Sequence, residues 1–216
     1  MNPFLDLKEI SFVVFFCSLE DASSIVRGLH KSPECIQIKP DSWFQGSEVP
    51  RFFDTTSHNP PLEMILWQPI NSVNTVFRCN WRDGYISSMK SLSKSCKLIY
   101  LSVADSFEDL YPNTVFGIYD AGRRVRYVQS IYAENGWEFF AFGDVQPFEN
   151  PHYYKKRKIK DRLNRNILVE YTLRNGLDVQ SDDFWRTNIE PHYFVHGWLA
   201  GERSLLPYSP ETRGQK

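Results

Sequence analysis

The chain has 216 residues, a formal net charge of −1 and 42% hydrophobic residues. This composition is typical of a folded globular protein. It excludes a disordered chain and a chain that binds polyanions over its whole surface. The longest apolar run near the start, residues 10–17, is much shorter than the roughly 20 residues of a membrane-spanning helix and lacks the basic flank of a signal peptide. We therefore expect a cytoplasmic protein without a membrane association.

The first elements are predicted in the order β-α-β. Residues 9–17 are apolar on both alternating faces, which indicates a central strand covered on both sides. A short helix is predicted over residues 20–29, because Ser18 can cap it and apolar residues recur at helical spacing. Residues 34–38 follow as a second strand.

A similar order returns after a proline-rich stretch. Strands are predicted at residues 63–68 and 73–79, where the apolar runs are separated by turn-forming residues. A helix is predicted over 83–94 with Asp83 as its cap, and an apolar strand at 96–103.

The middle of the chain predicts a three-stranded antiparallel meander over residues 114–142. Its first turn is Asp120-Ala121-Gly122, and its second contains Asn135-Gly136. Asn-Gly between two aromatic-rich strands is a strong sequence signal for a hairpin.

The C-terminal part has a different character. Asn150 followed by Pro151 predicts the start of a helix over 151–163, and a second helix is predicted over 166–175, closed by Gly176.

The predicted fold is one compact α+β domain over residues 1–216. It consists mainly of an antiparallel sheet with two β-α-β-like segments, the meander at 114–142 and a C-terminal helical pair at 151–178. The loop-rich residues 179–216 are expected to pack on it.

A basic run is the most visible charge feature. The seven basic residues between positions 155 and 165 are Lys155, Lys156, Arg157, Lys158, Lys160, Arg162 and Arg165. Three interpretations stay open: a solvated helix face, a docking site for an acidic protein surface, or a nucleic-acid-binding helix.

Arginines and aromatic residues elsewhere suggest contacts with a partner. Arg124 and Arg126 are expected to share one strand face, either as an exposed sheet face or as a site for an anionic partner. The aromatic pair Trp43 and Phe44, in the proline-rich stretch, either packs over the sheet or belongs to a binding surface.

The sequence contains no motif that specifies a chemistry. It has no GxSxG nucleophile turn and no glycine-rich phosphate loop. Cys17, Cys35, Cys79 and Cys96 form no CxxC pair, so we expect buried free thiols and no structural zinc. We predict no cofactor and no metal. The spacing of His192 and His196 would suit a metal only on a helix, and the acidic residues at 105–109 offer an alternative acid–base pair.

A resemblance adds a functional expectation. It is carried by Arg124-Val125-Arg126, Gly136-Trp137-Glu138-Phe139, Gly143, Pro147-Phe148-Glu149, Tyr153-Tyr154, Arg157, Asp161-Arg162, Tyr171, Gly176 and Phe184-Trp185. This stretch, residues 124–185, resembles poorly characterised bacterial proteins, some of which look like immunity proteins of polymorphic toxin systems. The resemblance implies a cytoplasmic protein that neutralises a toxin by binding it directly.

The leading hypothesis is therefore a non-catalytic protein-binding module of the immunity type, with a protein partner such as a toxin domain. Its predicted contact residues are Trp43, Phe44, Arg124, Arg126, Lys156, Lys160 and Trp185, since aromatic and arginine side chains dominate binding hot spots. One alternative is an enzyme using the carboxylates at 105–109 or the His192/His196 pair. The other is a nucleic-acid-binding protein using the basic run.

Overall fold

The computed structural model describes residues 2–29, 35–38, 62–81, 83–105 and 112–196. Within these residues, nine strands form one sheet in which every pair of neighbours is antiparallel. In chain order they are β1 (Glu9–Phe15), β2 (Cys35–Ile38), β3 (Leu62–Trp67), β4 (Thr75–Cys79), β5 (Leu98–Ala104), β6 (Asn113–Asp120), β7 (Arg123–Ala133), β8 (Gly136–Phe142) and β9 (His192–His196). The predicted α+β class, the antiparallel sheet and the meander, formed by β6, β7 and β8, are confirmed.

The order across the sheet is β2-β9-β3-β4-β1-β5-β6-β7-β8, so that β2 and β8 are the edges among the described strands. The strands of each predicted β-α-β segment are present but are not neighbours. Between β1 and β2 lie β4, β3 and β9, whereas β4 and β5 flank β1 on either side.

Strand β1 lies near the middle of the sheet because both of its faces are apolar. Phe12 and Val14 are buried in a core on the first face, and Val13 and Phe15 are buried in a core on the second face. This confirms the predicted central strand covered on both sides.

Four α-helices occur in the described residues: α1 (Pro3–Asp6), α2 (Leu19–Leu29), α3 (Met89–Leu92) and α4 (Arg165–Arg174). The first core contains side chains of α1 and α4, and the second contains side chains of α2 and α3. Asn164 caps α4, with its Oδ1 accepting a 3.1 Å bond from the Ile167 N–H. No helix in this part of the chain is both long and apolar enough to cross a membrane.

The predicted helix over 151–163, the first member of the C-terminal pair, is wrong. The segment contains two short 3-10 turns, Tyr153–Lys155 and Ile159–Asp161. The Arg162 side chain donates from Nε to the Lys156 carbonyl at 2.9 Å, so a side chain takes an acceptor that an α-helix would use internally. Charges would also cover most of the circumference of such a helix and leave only Ile159 and Leu163 to anchor it, which is less than the apolar stripe of a packed helix.

The predicted helix over 83–94 is shorter than expected. It consists of a 3-10 turn at Ile86–Ser88 followed by α3. Gly84 and Tyr85 have φ values of 60° and 67°, and this left-handed backbone cannot continue an α-helix.

Candidate functional site

A β-bulge in β7 sends two arginines to opposite faces of the sheet. Ile118 lies opposite Arg126 and Tyr119 lies opposite Arg124, so Val125 is an extra residue in β7. One extra residue reverses the alternation of side chains along a strand. The prediction that Arg124 and Arg126 share a face is therefore wrong.

Arg126 is buried on the first face, with only 2% of its surface exposed. Its Nε and Nη2 bond Glu149 at 2.8 and 2.7 Å. Its Nη1 donates to the carbonyls of Phe142 and Gly143 at 3.1 and 2.7 Å. Burial acts to lower the pKa of Arg126, but the bonds to Glu149 outweigh burial and raise it. The guanidinium is thus fully engaged within the chain and presents no surface to a partner.

Glu149 is held from several directions. Besides Arg126, it accepts a bond from the Tyr154 hydroxyl and one of 3.0 Å from the Gln146 N–H. The Tyr171 hydroxyl in turn donates to the Tyr154 oxygen at 3.0 Å. Burial and these bonds raise the pKa of Tyr154. We call this set, Arg126, Glu149, Tyr154 and Tyr171, the Arg126–Glu149 network.

All four members of this network belong to the residues that carry the resemblance noted in the sequence. Gly143, another of them, supplies one of the carbonyls bonded by Arg126. These residues therefore join the meander to the segment that covers the first face, which is a structural role.

Trp185 is buried as well, with 2% exposed, and lies in the first core. Its Nε1 donates to the Val179 carbonyl at 2.9 Å, and its ring packs edge-on against Phe12 at 5.3 Å. Trp185 accordingly offers no contact surface. Trp43 and Phe44 lie outside the described residues.

Arg124, by contrast, lies on the second face among aromatic rings. Its guanidinium carbon is 5.1 Å from the ring centre of Tyr127, 4.7 Å from that of Phe142 and 6.0 Å from that of Phe140. Tyr127 is buried beneath it, whereas Phe140 and Phe142 are 47% and 44% exposed. The arginine and the rings form a platform held by cation–π contacts.

Phe140 and Phe142 were missed by the sequence reasoning. They lie on β8, at the edge of the sheet, on the face opposite to that of the preceding Phe139, whose side chain packs on the first core. The available signal was that β8 is the last strand of a meander and carries aromatic residues on both faces.

The basic run lies beside the other face of β8. Ser130 of β7 bonds the Ile159 carbonyl at 3.1 Å, and the Arg162 guanidinium lies 5.5 Å from the ring centre of Phe139. This places the 3-10 turns against the first face. The exposed basic side chains of the segment are Lys155, Lys156, Arg157, Lys158 and Lys160. We call β8, Arg124 and these five side chains the β8 surface.

Arg165 has different contacts from the other residues of the basic run. It bonds Asp105 at 2.6 Å and the Leu7 carbonyl at 2.9 Å, and it also donates to the Phe4 carbonyl. Asp105, the one member of the acidic 105–109 cluster within the described residues, is thus an ion-pair partner. Arg165 ties α1 to α4 and is no part of the β8 surface.

His192 and His196 lie on strand β9 and not on a helix. Four residues along a strand span roughly 13 Å, so these two Cα atoms are too far apart for one tetrahedral metal ion held by two imidazoles. His192 lies 3.7 Å from a Glu20 oxygen. Among the described residues, no group of three His, Cys, Asp or Glu side chains is placed to hold a metal.

Comparison with known proteins returns no match: no family model, no curated protein and no solved structure is significantly similar to this chain. Its function must therefore be inferred from its own geometry.

Proposed function

We propose that the chain is a non-catalytic binding protein that docks an acidic surface of a partner protein on the β8 surface. We further propose that the partner is a bacterial toxin domain and that binding neutralises it in the cytoplasm, as an immunity protein does. No cofactor takes part in this function.

The observation that carries the proposal is an aromatic edge strand. Natural proteins protect edge strands with charges, prolines or covering elements, because an unprotected edge pairs readily with other chains. In β8 the only charged residue is Glu138, and Phe140 and Phe142 are about half exposed. Such an edge favours a partner that adds a strand or packs on the rings.

The chemistry of the partner follows from the charges around β8. Five exposed basic side chains lie on one side of the strand, and Arg124 lies on the other. Within the part of the chain that the structure describes, no ion pair engages Lys155, Arg157, Lys158 or Lys160. Opposite potentials steer association and exclude wrong partners, so an acidic protein surface complements this one.

The toxin-neutralising part of the proposal rests on the resemblance of residues 124–185 to immunity-type proteins. The β8 surface falls within that same stretch, since it extends from Arg124 to Lys160. An immunity protein acts by covering its toxin, and this task requires a docking surface and no chemistry of its own.

The test begins with capture of partners from the lysate of the native host, with and without nuclease, on four immobilised proteins. These are the wild type, two β8-surface variants and a control. The β8-surface variants are the aromatic variant Phe140→Ser/Phe142→Ser and the charge-reversal variant Lys156→Glu/Lys160→Glu. The control variant Lys90→Glu/Lys94→Glu makes the same charge change on and beside α3, where both lysines are exposed.

We expect the wild type and the control to retain one acidic protein after nuclease treatment. Both β8-surface variants should bind it at least about tenfold more weakly, which corresponds to roughly 1.4 kcal/mol. The charge-reversal variant should also lose most of the salt dependence of binding.

The captured protein is then expressed in bacteria with each variant. Growth arrest that is relieved by the wild type and the control, and not by the β8-surface variants, supports toxin neutralisation. A partner that binds through β8 without being toxic would rule out the immunity role. Retention of nucleic acid alone, lost after nuclease, would rule out protein docking and support the nucleic-acid alternative.

A further inference from the structure

Two cysteines lie opposite each other just beyond the paired ends of β1 and β5. The register of these strands pairs Phe15 with Leu98, and the Phe16 N–H bonds the Lys97 carbonyl at 3.0 Å. One residue beyond the Phe16–Lys97 pair, the same register places Cys17 opposite Cys96. Because the Phe16–Lys97 pair is hydrogen-bonded, the next pair is of the closer, non-hydrogen-bonded kind, in which Cα atoms lie about 4.5 Å apart. That separation is within the range spanned by disulfides.

The side chains of the two cysteines meet. They are close enough for each thiol to shift the pKa of the other, and the Cys96 Sγ donates to the Lys97 carbonyl at 3.2 Å. Both cysteines are free and partly exposed. The expectation of buried thiols therefore holds for Cys79 but is wrong for Cys17 and Cys96.

Both thiols open into a cleft of about 730 Å³ between α2 and the segment that joins α3 to β5. Its other lining residues include Asp21, Ser24 and Gly28 from α2 and Lys94 from the facing segment. A cleft of this size admits a small disulfide or peroxide to the sulfur atoms.

We propose that Cys17 and Cys96 form a reversible thiol–disulfide exchange site, with low-molecular-weight disulfides as its co-substrates. This site is independent of the β8 surface, which lies at the edge of the sheet, whereas β1 and β5 are in its middle.

The chemistry proceeds in two steps. The Cys96 thiolate attacks a sulfur of the small disulfide RSSR, forming Cys96–S–S–R and releasing RS⁻. Cys17 then loses its proton and attacks the Cys96 sulfur, closing the Cys17–Cys96 bridge and releasing the second RS⁻. Two electrons pass from the protein to RSSR, which leaves as two thiols after protonation.

The roles of the two thiols follow from their environment. The interaction with Cys17 lowers the pKa of Cys96, and the Phe16 backbone acts in the same direction, against burial and the carboxylates of Asp21 and Asp120. For Cys17 the interaction with Cys96 raises the pKa, and burial adds to this effect. Cys96 is therefore the thiol that ionises more readily, and we assign it as the attacking sulfur and Cys17 as the resolving one.

The full-length protein is equilibrated with oxidised and reduced glutathione at several ratios. Remaining thiols are blocked with iodoacetamide, and all four cysteines are mapped by peptide mass spectrometry. We expect a cross-linked peptide joining Cys17 to Cys96 that is lost on adding excess reduced glutathione. Cys79, which is 3% exposed and whose pKa burial raises to about 12, should stay reduced and serves as the internal control.

Single variants separate the two roles. Cys17→Ser should accumulate a stable glutathione adduct on Cys96, because the resolving thiol is missing, whereas Cys96→Ser should leave Cys17 largely unmodified. Circular dichroism confirms that both variants are folded. If both cysteines of the wild type are alkylated even in oxidised glutathione alone, the site does not exist. If the two variants acquire equal adducts, the assignment of Cys96 as the attacking thiol is wrong.

Discussion

Arg126 and Glu149 place two opposite charges inside the protein, and both side chains are almost fully enclosed. Removing a charge from water costs several kcal/mol, and a buried pair offsets this cost only when its remaining polar atoms are satisfied. This condition is met on both sides of the pair. Glu149 also accepts hydrogen bonds from Tyr154 and Gln146, and Arg126 also donates to a carbonyl at the end of β8.

Breaking one side of this pair should therefore destabilise the protein strongly. We expect Glu149→Gln to lower the free energy of unfolding by about 3–5 kcal/mol, because it leaves the Arg126 charge buried without a counter-charge. Urea denaturation measures the change. The double variant Arg126→Met/Glu149→Leu removes both charges and should lose less than the single variant. A double variant that is less stable than the single one would contradict this account.

The burial of Arg126 could not be predicted from the sequence. The alternation of a regular strand places Arg124 and Arg126 on one face, and nothing local to the sequence marks Val125 as a bulge. The bulge is defined by the register between β7 and its partner strand β6. It turns Arg126 to the first face, where Arg126 bonds the buried Glu149. An arginine on a strand is exposed by default, so its burial cannot be inferred without knowledge of its partner.

At the scale of elements, β8 ends in a tight contact with β7. Gly143 follows β8 with a φ of 78°, and a Cβ atom at this position would lie 2.0 Å from the Val125 carbonyl oxygen. The atom it would meet belongs to the backbone of the bulge and cannot rotate away. Only glycine permits this close approach, which also brings the Gly143 carbonyl to Arg126.

We expect Gly143→Ala to lower the free energy of unfolding by at least about 2 kcal/mol, through backbone strain and displacement of the bulge. Thermal and urea unfolding measure the effect. Gly28→Ala is the matched control, because Gly28 lies in α2 with open space around its Cβ position. That substitution should stabilise the helix by about 0.5–1 kcal/mol. Equal effects at the two glycines would contradict the proposed contact.

The elements that the sequence predicted well are those with a strong local signal. The meander carries Asn135-Gly136 at its second turn, and α4 has a capping Asn164 and a terminal Gly176 with a φ of 75°. The wrong helix over 151–163 also had a start signal in Pro151, but it lacked an apolar stripe. Its path is determined instead by contacts with β7 and β8, which lie outside the segment.

At the scale of the whole molecule, the second core buries several ionisable groups in their neutral form. In the second core, burial raises the pKa of Cys79 from 9.0 to about 12 and that of Tyr119 from 10.0 to about 12. Burial also raises the pKa of Tyr127 and Tyr100. Because the folded state retains these protons more tightly than the unfolded state, it is favoured below pH 9 and loses this advantage as the pH rises towards 12.

Alkaline pH should therefore unfold the protein through its second core. We expect the melting temperature to fall progressively from pH 9 to pH 11, with tyrosinate absorbance rising as unfolding occurs. Tyr119→Phe keeps the ring and removes one of the ionisable groups, so its melting temperature should fall less steeply over the same range. Identical pH profiles for the variant and the wild type would contradict a contribution from Tyr119.

The order of strands in the sheet is the feature furthest from the sequence. Individual strands were recognisable from their apolar alternation, but the pairing of β9 with both β2 and β3 depends on contacts between distant parts of the chain. The opposition of Cys17 and Cys96 is of the same kind, because it requires the register of β1 with β5. No short-range pattern specifies either pairing.

The position of β9 has a consequence for synthesis of the protein. The Tyr193 hydroxyl of β9 bonds Glu63 of β3, a residue 130 positions earlier in the chain. At a translation rate of about 5–20 residues per second, β3 leaves the ribosome several seconds before its neighbour on that side exists. During this interval the nascent β3–β4 hairpin presents an open strand edge of apolar residues, the kind of surface that chaperones shield. This half of the sheet can therefore close only after translation has passed residue 196, and high contact order makes that closure slow.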